Sequence, residues 1–257
     1  MNWEIRQGDC RDVLRTLPAA SVDVCVADPP YGETAIDWDR HVDGWVPEVR
    51  RVLKPSGSLW CFGSLRFFME RAGDFAGWKL AQDVVWEKHN GSGFDADRFK
   101  RVHELVVQFY PADRPWSGVW RAAQKVPGEA RPTASIKARV EVLEHRGKIG
   151  AHQYEYGPDR LMRSVIPVRA CHGRAVHPTQ KPEGILRPLV AYSCPGGGVV
   201  LDPFAGSGST GLAAHLVGAN FIGIELRQEY VELARRRLSG DVRGDAPLLN
   251  TQTGTEG

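Results

Sequence analysis

Val199-Val200-Leu201-Asp202-Pro203-Phe204-Ala205-Gly206-Ser207-Gly208-Ser209-Thr210 is the stretch that decides how this chain folds. Its apolar start reads as a short buried strand with an acid, Asp202, at the carboxyl end. Gly206 and Gly208 then make a turn whose backbone can approach a ligand closely. Thr210–Leu216 reads as the helix that follows, with Gly218 as its left-handed stop. Strand, glycine-rich turn and helix together form a nucleotide-binding arrangement. It is not a phosphate loop, because Ser209 and Thr210 follow Gly208 where that loop needs lysine. It fits a dinucleotide fingerprint poorly too, since Ser-Thr-Gly follows the G-x-G. A nucleoside ligand without phosphate needs neither. Glu225 closes the next apolar run, Asn220–Ile224, 23 residues after Asp202. That spacing suits a carboxylate accepting from both ribose hydroxyls.

Near the start of the chain Val22–Ala27 is a second apolar run, closed by Asp28-Pro29-Pro30-Tyr31. Two successive prolines stiffen the turn and restrict the residue before them. The Asp28 carboxylate and the Pro29 carbonyl are therefore largely pre-placed acceptors for the two N–H groups of one amine. An amine conjugated to an aromatic ring is a poor nucleophile, because its lone pair is delocalised into the ring. Two acceptors draw the nitrogen toward a tetrahedral arrangement and strengthen as positive charge develops on it. Tyr31 offers a flat face on which a planar ring can stack. Trp38 and Phe94 lie in two polar loops that could cover such a ring, although packing against a neighbouring loop is the preferred reading for both.

In this order the two motifs resemble the β-group of DNA amino-methyltransferases, in which the catalytic tetrapeptide precedes the cofactor turn. Further segments carry the likeness. They are Gly8-Asp9-Cys10 with Leu14, Leu17-Pro18 and Ser21-Val22-Asp23; Leu53-Lys54-Pro55-Ser56-Gly57-Ser58-Leu59; His177-Pro178-Thr179-Gln180-Lys181-Pro182; and Ile222-Gly223-Ile224-Glu225. The resemblance covers roughly 1–110 and 176–238. It implies an α/β, Rossmann-like class I methyltransferase fold with a mixed, mostly parallel sheet and an inserted target-recognition region at 111–175. It implies S-adenosylmethionine as cofactor, with Asp28, Pro29, Pro30 and Tyr31 catalytic. Asp202, Phe204, Ala205, Gly206, Ser207, Gly208 and Glu225 would line the cofactor site, with Asp9 near the adenine amino group. Thr179 and Lys181 would be polar contacts at the methionine end. Homodimers are common in this group, so a homodimer is an implied option. Asp at the first tetrapeptide position is commoner in adenine-N6 enzymes and Ser in cytosine-N4 enzymes, which favours adenine and keeps cytosine-N4 as the alternative. Relatives acting on protein glutamine or RNA usually carry Asn-Pro-Pro-Tyr. A DNA-binding protein with an inactive methyltransferase fold is the remaining alternative, and the intact Asp28, Tyr31, Gly206, Gly208 and Glu225 speak against it.

The 257 residues are enough for a core plus a modest insertion. Net charge is only +2, yet 111–175 holds twelve Lys/Arg against six Asp/Glu. A localised basic surface is what phosphate contacts on double-stranded DNA need. Within it only Ser135–Leu143 reads as a helix. The residues from 239 to 257 are poor in groups to bury and read as a disordered tail. Five cysteines without a C-x-x-C argue for a reducing compartment. Cys171-His172 with His177 lacks zinc spacing, so no metal is expected. No signal peptide is read, no apolar run approaches transmembrane length, and the expected setting is a bacterial, archaeal or phage-infected cytoplasm.

Overall fold

All six residues of Val22–Ala27 are buried, as a strand covered on both faces requires. Around this strand the computed structural model, which describes residues 2–92, 97–127, 159–171, 175, 177 and 180–241, builds an α/β architecture. In chain order the elements begin β1 (Trp3–Gln7), α1 (Cys10–Thr16), β2 (Val22–Ala27), α2 (Trp45–Val52), β3 (Leu53–Gly63) and α3 (Leu65–Glu70). There follow β4 (Trp78–Ser92), β5 (Arg101–Pro111), β6 (Lys125–Pro127), β7 (Asp159–Leu161) and β8 (Val165–Pro167). The chain continues with α4 (Glu183–Ser193), β9 (Val199–Asp202), α5 (Ser209–Leu216), β10 (Asn220–Glu225) and α6 (Gln228–Leu238).

Eight strands form one sheet in the order β1-β10-β9-β2-β3-β5-β4-β8. The ladders from β1 to β3 and between β4 and β8 are parallel, and those joining β3, β5 and β4 are antiparallel. The sheet is thus mixed and mostly parallel, as expected from the sequence. From β9 the chain crosses through α5 to β10 on one side, and from β2 through α2 to β3 on the other. Strand order therefore reverses between β9 and β2. In open α/β sheets the crevice at such a reversal, outside the carboxyl ends of the strands, is where ligands bind.

Asp23 fixes this seam. Its buried carboxylate accepts from the Val199 N–H and from Lys54 Nζ, both at 2.8 Å, so β2, β9 and the start of β3 share one anchor. A second network links β3, β5 and β4, where Gln108, fully buried, donates to Ser58 Oγ at 3.0 Å and accepts from Gln82 Nε2 at 2.9 Å.

The helix that opens at Leu65 ends at Glu70 and gives way to a 3₁₀ turn at Ala72–Phe75. Leu53 opens β3 by pairing with Val22. Strand β4 runs on to Ser92, which pairs with Arg101 across the hairpin. Pro182 stands at the N-cap of α4. Gly218 has φ 72 just past α5, as expected. Strands β6, β7 and β8 are three residues each, too short to show a period. Phe94, Thr179, the helix expected over Ser135–Leu143 and the tail from 242 lie outside the described residues.

The chain forms two compact units, one of Met1–Ala122 with Ser164–Gly257 and one of Ala123–Arg163. In the second, β6 and β7 pair antiparallel through Val126 and Arg160. Among the described residues no helix is long and apolar enough to cross a membrane.

Gly211 lets α5 lie against β10, since a Cβ there would stand 2.6 Å from the Phe221 ring and 2.8 Å from Leu238. Gly211→Ala gains about 1 kcal/mol of helix propensity but overpacks a core site at about 1–3 kcal/mol. Its urea midpoint should fall, whereas Gly196→Ala, with nothing within 4 Å of the added carbon, should leave it unchanged. Equal midpoints for the two variants would contradict this packing.

Candidate active site

Asp202 is the last residue of β9, and Asp28 stands one past the end of β2. Cys25 pairs with Leu201 in the parallel ladder, so the two motifs leave neighbouring strands at the same end of the sheet. Three cavities open there, and Asp28 lines all of them.

The first cavity runs over the ends of β1, β9 and β10. Asp9, Phe204, Gly206, Glu225, His177 and Tyr230 are among its walls. The Glu225 carboxylate accepts from the Gly206 N–H at 2.9 Å and from the Arg227 N–H at 2.8 Å. It thereby ties the glycine-rich turn to the end of β10. Burial pushes its carboxyl above the usual range, and those two N–H groups oppose the shift. Gly206 adopts φ 49, and a Cβ there would meet the His177 ring at 3.4 Å. Asp9 caps α1 and accepts from Arg11 through Nε at 2.8 Å and Nη2 at 2.6 Å. This pairing holds its carboxyl below the usual value.

The second cavity lies under the turn, walled by Asp202, Ala205, Ser207, Thr210, Gln180 and Lys181, with Phe204 and His177 shared with the first. Asp202 accepts from the Thr210 hydroxyl at 2.6 Å and the Phe204 N–H at 2.9 Å, closing the turn on itself. Burial raises its carboxyl to about 7 against the pull of those donors. Gly208 lines neither cavity. Its φ is 78 and an added Cβ would lie 3.1 Å from Ala234, so it serves the approach of α5 to α6.

The third cavity, about 400 Å³, is walled by Asp28, Pro29, Pro30, Tyr31, Trp86 and Glu104, with Lys181 and Trp38 at its junctions with the other two. The Tyr31 hydroxyl donates to Asp28 Oδ1 at 2.6 Å. Lys181 Nζ donates to Asp28 Oδ2, also at 2.6 Å. Burial raises the Asp28 carboxyl, Lys181 pulls it down, and the Glu104 charge raises it again. Trp38, expected to pack on a neighbouring loop, has its ring 5.7 Å from that of His177 and lines two cavities. Its loop is held by Asp39, which accepts from the backbone N–H groups of Gly32, Glu33 and Thr34.

The sequence reading missed several members of this site. Glu104 sits in a strand with no motif around it. Arg237, in the last turn of α6, is 3 % exposed. Its Nη1 donates to the Ser207 carbonyl at 2.6 Å and to the hydroxyls of Ser207 and Ser209 at 2.7 and 3.2 Å. His177, read as the start of a family-like segment and as a faint metal cue, is an aromatic wall 4.2 Å from Tyr230 by ring centroids. Burial lowers its imidazole to about 4, with Lys181 and Arg237 adding to the effect, so it is neutral at pH 7.

A family model for DNA methylases acting at N6 or N4 matches residues 22–236, a span that holds both motifs and both Asp28 partners, Tyr31 and Lys181. The chain belongs to this DNA methylase family. It is 30 % identical to the type II methyltransferase M.HinfI of Haemophilus influenzae, over 91 % of this chain and 67 % of that protein. It is 28 % identical to the type II methyltransferase M2.DpnII of Streptococcus pneumoniae, over 89 % of this chain and 86 % of the relative. In fold it is similar to M1.HpyAVI solved with S-adenosylmethionine, with TM-score 0.62 at 22 % identity over 92 % of this chain and all of that one. The cytosine-N4-specific PvuII DNA methyltransferase gives TM-score 0.61 at 18 % identity, over 92 % of this chain and 86 % of its own. The methylase family acts on DNA and takes its methyl group from S-adenosylmethionine.

The residues present fit that cofactor. A nucleoside needs an acid near its ribose and a backbone that lets it approach, and Glu225 and Gly206 meet in one cavity. Arg237 braces the turn from beneath. Arg237→Met should therefore loosen Ser207 and weaken S-adenosylmethionine binding by about 1.5–3 kcal/mol, the scale of a charged hydrogen bond. Calorimetric titration checks this, and an unchanged dissociation constant would refute the bracing role.

Proposed function

We propose that this methylase transfers a methyl group to the N6 of adenine in double-stranded DNA, at a site-specific target, on a base flipped out of the helix. The convergence of three cavities on Asp28 is the observation that carries the reading, because methyl transfer needs the amine and the donor on one residue's doorstep. When bound, S-adenosylmethionine supplies a methyl group on a positively charged sulfur, electrophilic enough for a neutral amine.

Everything else falls to the protein. The Glu225 carboxylate accepts from the ribose hydroxyls with the lone pairs that Gly206 and Arg227 leave free. Phe204, with its ring edge-on to Trp45 at 5.3 Å, gives the cavity a stiff apolar wall. Asp9 would meet the adenine end, and Asp202, Ala205 and Ser207 the methionine end. Asp28 accepts one N–H of the target amine and the Pro29 carbonyl accepts the other, localising the lone pair on nitrogen. Tyr31 gives the extruded base a stacking surface. Extrusion costs a few kcal/mol, partly offset by stacking and edge hydrogen bonds. The product ammonium is acidic and loses its proton to water, so Asp28 need not act as a base.

Asp at position 28 supports adenine, since the tetrapeptide of adenine enzymes commonly begins with Asp. The basic stretch 111–175 is the proposed target-recognition region, with phosphate contacts positioning DNA and base-edge contacts specifying it. The bacterial relatives favour a bacterial cytoplasm as the setting. Nucleoside analysis of DNA methylated by the protein should yield N6-methyladenine, and N4-methylcytosine alone would reject the adenine assignment. Asp28→Ala should abolish turnover with cofactor affinity nearly intact, and parallel loss of both would make Asp28 structural. Glu225→Ala should cost about 1.5–3 kcal/mol of cofactor binding, read by titration. An unchanged constant would remove Glu225 from the ribose.

A further inference from the structure

Three elements converge behind Asp28. Lys181 comes from the segment before α4, Glu104 from β5 and Lys88 from β4. Lys181 Nζ lies 2.6 Å from Asp28 Oδ2 and 3.4 Å from Glu104 Oε2. The other Glu104 oxygen accepts from Lys88 Nζ. The charges alternate along this row: Asp28 negative, Lys181 positive, Glu104 negative, Lys88 positive. Lys181 is only 9 % exposed. Its ammonium also stands 5.2 Å from the Phe62 ring centre and 5.8 Å from that of Tyr31. Fixing a long cation in a partly dry site costs rotamer entropy and desolvation. A second buried carboxylate, itself neutralised from behind, offsets that cost and sets where the ammonium sits.

We propose that Lys181 is a positioning residue for methyl transfer: its ammonium, steadied by Glu104, keeps the Asp28 carboxylate ionised and oriented as an acceptor while a base fills the cavity. The proposal rests on the role given to Asp28 above. A base entering the cavity displaces water, and a carboxylate left without water or counter-ion takes up a proton. A protonated Asp28 would turn a donor hydrogen toward the amine that needs an acceptor. The groups facing Asp28 are the Tyr31 hydroxyl, Lys181, Glu104 on β5, Asp202 on β9 and the Cys61 thiol on β3. Lys181 is the cation in this set. Without it, burial and the two acids all raise the Asp28 carboxyl. Turnover requires the ionised form, so the fall of turnover on the acid side must then move to higher pH.

The test is the pH profile of kcat for methyl incorporation into mixed genomic DNA at saturating S-adenosylmethionine, for the full chain and for Lys181→Met and Lys181→Arg. In Lys181→Met the acid limb should move up by about one pH unit or more, a loss of about tenfold at pH values below it, with cofactor affinity nearly unchanged. Lys181→Arg should return the limb toward its original place. If the Met variant does not fold, Lys181→Gln, which can still donate to Asp28 but brings no charge, gives the same readout. An acid limb that stays in place without the charge would overturn the proposal, as would cofactor affinity falling in step with kcat. Full activity of Asp28→Ala would instead overturn the role of Asp28 itself, so the two failures are distinguishable.

Discussion

Parallel pairing of β9 with β2, in the register Val24 with Val200 and Cys25 with Leu201, is the constraint on which the rest depends. Two motifs 174 residues apart, Asp28 to Asp202, become neighbours because these strands lie side by side and end together. A shift of one residue would turn every side chain of a strand to the opposite face. Here both strands are buried and Asp23 is bonded across the seam, which pins the register. The crossovers leave in opposite directions, so the space above the two strand ends stays open. A cofactor turn and an amine-binding corner can then face one another without either being deformed.

The chemistry follows from what surrounds those ends. The glycine-rich turn is not held by glycine freedom alone. Asp202 with Thr210, Glu225 with the Gly206 N–H, and Arg237 with Ser207 grip it from three elements. Each of these polar groups is partly or fully out of water, so each needs its partner to avoid an unsatisfied buried atom. The amine corner is held likewise, by prolines in the backbone and by Tyr31 and Lys181 at the carboxylate. Acceptors fixed before the reaction need no reorganisation when charge develops on the amine nitrogen.

Much of this was legible in the sequence for a physical reason. The core strands are buried on both faces, so they read as continuous apolar runs, and Val22–Ala27 matches its observed bounds. The site residues that could be found lie inside contiguous motifs, where spacing alone carries the message. Glu104, Lys88 and Arg237 were not legible. Each is a single charged residue in a strand or helix of ordinary pattern, and its meaning comes from a partner 16 to 77 residues away. Lys181 shows the same limit from the other direction. Its neighbours in sequence point to the cofactor, while its ammonium meets Asp28 and Glu104. Asp39 was hidden too, because a loop acid that gathers three backbone N–H groups looks like any other polar loop residue.

The most direct measurement is a crystal structure of the protein with S-adenosylhomocysteine and a DNA duplex carrying its target. The account predicts the demethylated sulfur beside Asp28 and an extruded adenine in the 400 Å³ cavity, its amino group on the Asp28 carboxylate and the Pro29 carbonyl. A cofactor seated away from Asp28, or a base that enters some other cavity, would contradict it.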